Sequence, residues 1–147
     1  MALVKHLLDR KGVKVWSVPS NTPIKEALQT LEKHDIGALP VIDNDKLVGI
    51  LSERDVVRKL GKIGNFDHSL PVKELMITSV YFVEPDNSVE ECMKLMTNKH
   101  IRHLPVVENG KVVGVISIGD LVKEIIADRE TMIKSLENYI TGQGITG

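Results

Sequence analysis

Two stretches of the chain repeat each other at a fixed offset of 65 residues, with no gap. Leu39-Pro40-Val41 returns as Leu104-Pro105-Val106, Gly49-Ile50-Leu51-Ser52 as Gly114-Val115-Ile116-Ser117, and Asp55 as Asp120. Val18, Glu26, Ile36, Asn44, Lys46, Val48 and Val57 also have identical partners at that offset. Residues 14–60 and 79–125 are therefore two copies of one unit. Around them, residues 1–13 form an N-terminal helix or extension, 61–78 a linker and lead-in, and 126–147 a C-terminal helix and tail. A unit this short cannot bury a sufficient core alone. The copies must pack together, and any site appears twice.

Each unit reads β-α-β-β-α. Lys14–Val18 alternates apolar and polar residues, as a half-buried strand does. Thr22 and Pro23 suit the cap and first position of a helix that carries Ile24, Ala27, Leu28 and Leu31. Ala38–Ile42 and Lys46–Leu51 read as strands joined at Asn44-Asp45, and Glu53–Leu60 as a helix ended by Gly61. In the second copy Ser88 and Glu91 form a capping box, and Asn109-Gly110 a hairpin turn. The expected fold is α/β (α+β): two pseudo-twofold-related β-α-β-β-α repeats packed through their sheets.

The charge is nearly balanced, with 19 Lys+Arg against 20 Asp+Glu, which gives no broad attraction for nucleic acid or an anionic membrane. The single cysteine, Cys92, excludes an internal disulfide and a Cys-rich zinc site, and its place on an apolar helix face reads as core. No apolar run is long enough to span a bilayer. The apolar start Met1–Leu8 precedes Asp9, Arg10 and Lys11, the wrong order for a secretory signal, so a cytoplasmic protein is expected.

The repeated Gly-x-x-Ser-x-x-Asp supports two readings. Ser52 and Ser117 suit N-caps, with Asp55 and Asp120 complementing the helix dipole. Equally, a helix N-terminus and a serine hydroxyl suit a phosphate, and a carboxylate one turn on suits the two hydroxyls of a ribose. Gly49 and Gly114 permit close approach, or mark strand bulges.

The copies resemble a tandem pair of CBS (cystathionine β-synthase) domains. The likeness rests on Ile36-Gly37-Ala38-Leu39-Pro40-Val41 with Gly49–Asp55, and on Ile101-Arg102-His103-Leu104-Pro105-Val106 with Gly114–Asp120. It covers most of the chain and resembles a stand-alone CBS-pair protein. The resemblance implies a non-enzymatic regulatory sensor that binds adenosine nucleotides (AMP, ADP, ATP or NAD, ahead of S-adenosylmethionine) in clefts shared between copies. One site would then use Asp120, Ser117, Arg102 and His103, with Lys14, Trp16, Ile36 and Gly37 around the base. The other would use Asp55, Ser52 and Arg54, with Ser79, Tyr81, Ile101 and Arg102 near the base. The alternative is a ligand-free structural or dimerisation scaffold whose motifs only cap helices.

His100 and His103 share a spacing that suits a metal, but no further ligand is evident, so no metal site is expected. Gly61-Lys62-Ile63-Gly64 lacks the Walker spacing and reads as linker. His6, His34 and His68 read as isolated and exposed. The last helix is expected to run from Asp120 towards Ile140, with Asp128-Arg129-Glu130 as a possible break and Thr141–Gly147 as a frayed tail. Its apolar stripe requires a partner surface, and a homodimer is expected.

Overall fold

The computed structural model describes residues 2–12, 14–65 and 67–141. In chain order the elements are α1 (Val4–Lys11), α2 (Ile24–Lys33), β1 (Ala38–Asp43), β2 (Lys46–Ser52), α3 (Glu53–Ile63), α4 (Val89–Lys99), β3 (His103–Glu108), β4 (Lys111–Ser117) and α5 (Ile118–Thr141). The fold is α+β, with two antiparallel two-stranded sheets, β1-β2 and β3-β4. They share one register: Ala38 faces Ser52 and His103 faces Ser117, and each slips between its fourth and fifth residues, at Val41/Ile42 and Val106/Val107. The bulged residues opposite those slips are Val48 and Val113, next to the glycines rather than at them. Both hairpin turns use positive φ, at Asn44 and Asp45 and at Asn109 and Gly110.

Each copy has its own core. Ile24, Ala27, Leu31, Leu39, Val41 and Leu51 pack in the first, and Val89, Cys92, Met96, Leu104, Val106 and Ile116 in the second. β4 packs against β1 and β2, which joins the sheets.

The segment that precedes each copy completes the other copy's core. Val4 and Leu7 of α1 are buried in the second core, and Val72 and Leu75 in the first. The backbone repeats this exchange. Val4 N donates to Asn87 O (2.9 Å) and Lys5 N to Pro85 O (2.9 Å). Val72 N donates to Thr22 O (2.8 Å) and Lys73 N to Ser20 O (2.9 Å) in the same way. The repeated glycines make room for these segments. A Cβ on Gly114 would meet Leu8 Cδ2 at 2.5 Å, and one on Gly49 would meet Met76 Sδ at 2.5 Å. Their lack of a side chain therefore serves packing between segments.

Several local expectations need correction. Lys14–Val18 forms no strand; Val18 alone bridges Val41, in parallel, and Val83 bridges Val106 likewise. Val18 pairs between Pro40 and Ile42, and the next bond toward Lys14 would need an N–H from Pro40, which has none. At α2 the cap is Pro23, one residue later than Thr22, with no side-chain bond. Its free amides are met by the linker instead: Ile24 N donates to Leu70 O (2.7 Å) and Lys25 N to His68 O (3.2 Å). α3 runs through Gly61 and stops at Gly64, which takes the left-handed conformation (φ 79°) that ends a helix. α5 passes Asp128-Arg129-Glu130 unbroken because all three tolerate helix and are exposed. Beyond Thr141 the expected tail lies outside the described residues. No helix among the described residues is long and apolar enough to cross a membrane.

Candidate nucleotide clefts

At the start of α3 and of α5 the same device recurs. Ser52 Oγ accepts from Asp55 N (3.2 Å), and Ser117 Oγ accepts from Asp120 N (3.1 Å). The first amide of each helix donates to a carbonyl of the segment before the preceding hairpin: Glu53 N to Gly37 O (3.0 Å) and Ile118 N to Arg102 O (2.8 Å). The second amides, those of Arg54 and Gly119, are the ones this turn leaves for a ligand. The cap reading is thus physically present at both positions, and it leaves part of each helix N-terminus open.

The carboxylates differ. Asp55 Oδ2 accepts from its own Ser52 hydroxyl (2.7 Å). Asp120 Oδ2 accepts from Ser117 N (2.8 Å) and from Lys11 Nζ (2.6 Å), while Lys11 also donates to Val115 O (2.8 Å). Burial pushes the Asp120 carboxyl up, but the bonds from Lys11 and Ser117 and the lysine charge outweigh it, so its pKa lies below the usual value. One turn on, the buried Glu124 accepts from Arg10 Nη1 (3.0 Å). Two ion pairs therefore tie α1 to α5.

Because the folded pKa of Asp120 is lowered, its contribution to stability is complete above the unfolded value and is lost as pH falls through the folded value. Urea unfolding between pH 6 and 3 should show a loss that is smaller in Lys11→Met. An identical acid profile in the variant would refute the tie.

Two clefts open on these helix starts. The Asp120 cleft brings together Ser117, Asp120 and His103 from the second copy with Lys14, Trp16, Ile36 and Gly37 from the first, and Lys11 joins them. It has a volume of about 470 Å³. The Asp55 cleft brings Ser52, Arg54 and Asp55 together with Ser79, Tyr81, Ile101 and Arg102, in about 130 Å³. Arg102, expected in both, lines only the Asp55 cleft. Arg102 thus reaches only the Asp55 side, where His103 joins it. His103 lies at the wall common to both clefts, as do Gly37 and Glu53. A Cβ on Gly37 would lie 2.9 Å from His103 Nε2, so the glycine admits the imidazole. Burial holds the His103 pKa below its ordinary value, against the opposing charge of Glu53.

The aromatics are backed in matching ways. Trp16 stacks on His34 with ring centroids 3.5 Å apart, and Lys99 Nζ lies 5.2 Å from the Tyr81 centroid. His34 is therefore half-buried in a stack, not isolated. Trp16 and Tyr81, like His34 and Lys99, are 65 residues apart. Cys92 is fully buried, and burial pushes its thiol up to about 11, which leaves it uncharged in the core. Among the described residues no group of three His, Cys, Asp or Glu is placed to hold a metal.

The CBS domain family matches residues 4–62 and 72–127. The chain belongs to the CBS domain family. CBS domain-containing protein YhcV of Bacillus subtilis is 34% identical over 113 residues, which cover 77% of this chain and 80% of that protein. The solved CBS domain structure NE2398 is 44% identical, covers 84% of this chain and 97% of its own, and gives a TM-score of 0.80. The CBS domain pair of protein MJ0100, solved with 5-methylthioadenosine and S-adenosyl-L-methionine, is 28% identical (TM-score 0.77; 87% of this chain, 98% of that chain).

Proposed function

We propose that this CBS pair is a non-enzymatic regulatory module that binds adenosine-containing ligands, of the AMP, ADP, ATP or NAD type, in its two clefts. One observation carries the reading. Each cleft sets a Ser/Asp helix start of one copy against an aromatic-lined segment of the other. The adenosine compounds held by the MJ0100 pair support it. Occupancy would bridge the copies and bias their relative packing.

The scaffold reading draws on the cap bonds, which are made without any ligand. The two separate on thermal shift. At a ligand concentration one hundred times Kd, binding adds about 2.7 kcal/mol, which is roughly 5–10 °C in a domain of this size. A panel of AMP, ADP, ATP, NAD and S-adenosylmethionine should include at least one that produces such a rise. A flat panel would leave the scaffold.

We further propose a homodimer through α5. Its exposed positions 122, 126, 129, 133, 136 and 140 alternate in steps of four and three, the seam of a coiled coil, with Ile126, Ile133 and Ile140 on one row. Val122 and Leu136 share the other row with Arg129. Ile126→Glu with Ile133→Glu should halve the mass measured by light scattering. An unchanged mass would exclude this seam.

A further inference from the structure

The two clefts carry opposite charge balances. Lining the Asp55 cleft are Arg54, Arg58 and Arg102 against Glu53 and Asp55, three cations to two carboxylates. Lining the Asp120 cleft are Lys11 and Lys14 against Asp35, Glu53 and Asp120, two cations to three carboxylates. The difference arises at matched positions. Gly119 stands where the first copy has Arg54, and Gly37 and Asp35 stand where the second has Arg102 and His100.

The cations also differ in availability. Lys11 is engaged by Asp120 and Val115. Among the described residues none of the three arginines is in an ion pair. Arg54 and Arg58 are four apart on α3, hence on one face, and Arg102 joins them from the other copy. Guanidinium forks set in this way suit several phosphates in a row rather than one.

We propose that the clefts sort adenosine ligands by charge. The Asp55 cleft takes a nucleoside di- or triphosphate, with its first phosphate at Ser52 and the Arg54 amide and the next ones on Arg58 and Arg102. The Asp120 cleft takes an adenosine compound without net negative charge, whose ribose displaces Lys11 and whose neighbours Asp35 and Glu53 favour a positive substituent. This assignment rests on the adenosine reading above and narrows it, keeping the phosphate-bearing ligands for the Asp55 cleft and giving the Asp120 cleft the adenosine compounds that carry no net negative charge. The smaller volume of the Asp55 cleft is bounded partly by exposed arginine side chains, which can swing aside without moving backbone.

Calorimetry of the full chain with ATP, adenosine and S-adenosylmethionine tests it. In Arg54→Gln with Arg58→Gln, ATP should bind tenfold or more weakly, about the loss expected for charge-assisted bonds, while adenosine affinity stays within about threefold. Gly119→Arg is sterically open, since a Cβ there meets only Ser117 Oγ at 3.6 Å. It should add a second ATP site on an intact fold. ATP binding lost in Asp120→Ala but kept in the arginine variant overturns the sorting. So does an equal loss of ATP and adenosine in the arginine variant, or a Gly119→Arg chain with no new ATP site. If wild type binds none of the three probes, the adenosine reading itself falls.

Discussion

An Asp55→Ala chain should bind its adenosine ligand ten- to a hundredfold more weakly, and an Asp120→Ala chain should show the same loss at the other cleft. A hydrogen bond to a charged carboxylate is worth about 1.5–3 kcal/mol, and a ribose offers two hydroxyls to one. Both substitutions spare the serine caps, because Ser52 and Ser117 accept from backbone amides that alanine retains. At Asp55 the fold should therefore lose the dipole contribution, about 0.3–1 kcal/mol, together with the bond from the Ser52 hydroxyl. At Asp120 it loses the dipole contribution and the bonds from Lys11 Nζ and Ser117 N. Affinity and melting temperature measured together decide the matter. A chain that loses stability but has no adenosine affinity to lose is a scaffold.

Leu75→Ala and Leu7→Ala should each cost about 2–5 kcal/mol, the usual range for truncating a buried leucine. That is a large part of the 5–15 kcal/mol of an ordinary domain. Leu75 is fully buried and Leu7 nearly so. The location of the damage matters more than its size. Leu75 leads into the second copy but packs among Ile24, Leu39 and Leu51 of the first. Leu7 precedes the first copy but packs among Val89, Leu104 and Ile116 of the second. Hydrogen exchange should rise in α2 and β1 for Leu75→Ala, and in α4 and β3 for Leu7→Ala. The opposite assignment would contradict the exchanged packing.

The repeat, both hairpins, the Ser88–Glu91 box and the Ser/Asp helix starts were legible because each depends on residues close in sequence. Asn109-Gly110, for example, announces its own turn. The partner of Asp120 was not. Lys11 lies 109 residues away, and nothing local marks it as a ligand of that carboxylate. The signal available was weak: a cationic end to an amphipathic helix outside the repeats. The exchanged lead-ins were hidden for a second reason. They match at an offset of 68 residues, Val4 with Val72 and Leu7 with Leu75, so a search at 65 passes over them. The missing strand at Lys14–Val18 shows the limit of alternation. A polar-apolar pattern records which side faces the core, but pairing also needs donors on the neighbouring strand, and Pro40 withholds the one that would meet Trp16. The candidate cleft residues were named from the resemblance to CBS pairs. Their unequal charges became readable only when the folded chain set Arg54 and Arg58 beside Arg102.

The exchange of lead-ins also orders events during synthesis. The first copy has every piece of its core once Leu75 and Met76 have been made. α1, made before the first copy, has no seat at that stage, because its backbone partners are Pro85 and Asn87 and its core neighbours extend to Leu121. Until then it trails as a short amphipathic segment with Val4 and Leu7 uncovered. Chains fold from the N-terminus as they are made, but α1, though made early, is placed among the last, and its docking through Arg10 and Lys11 onto α5 marks the completed fold.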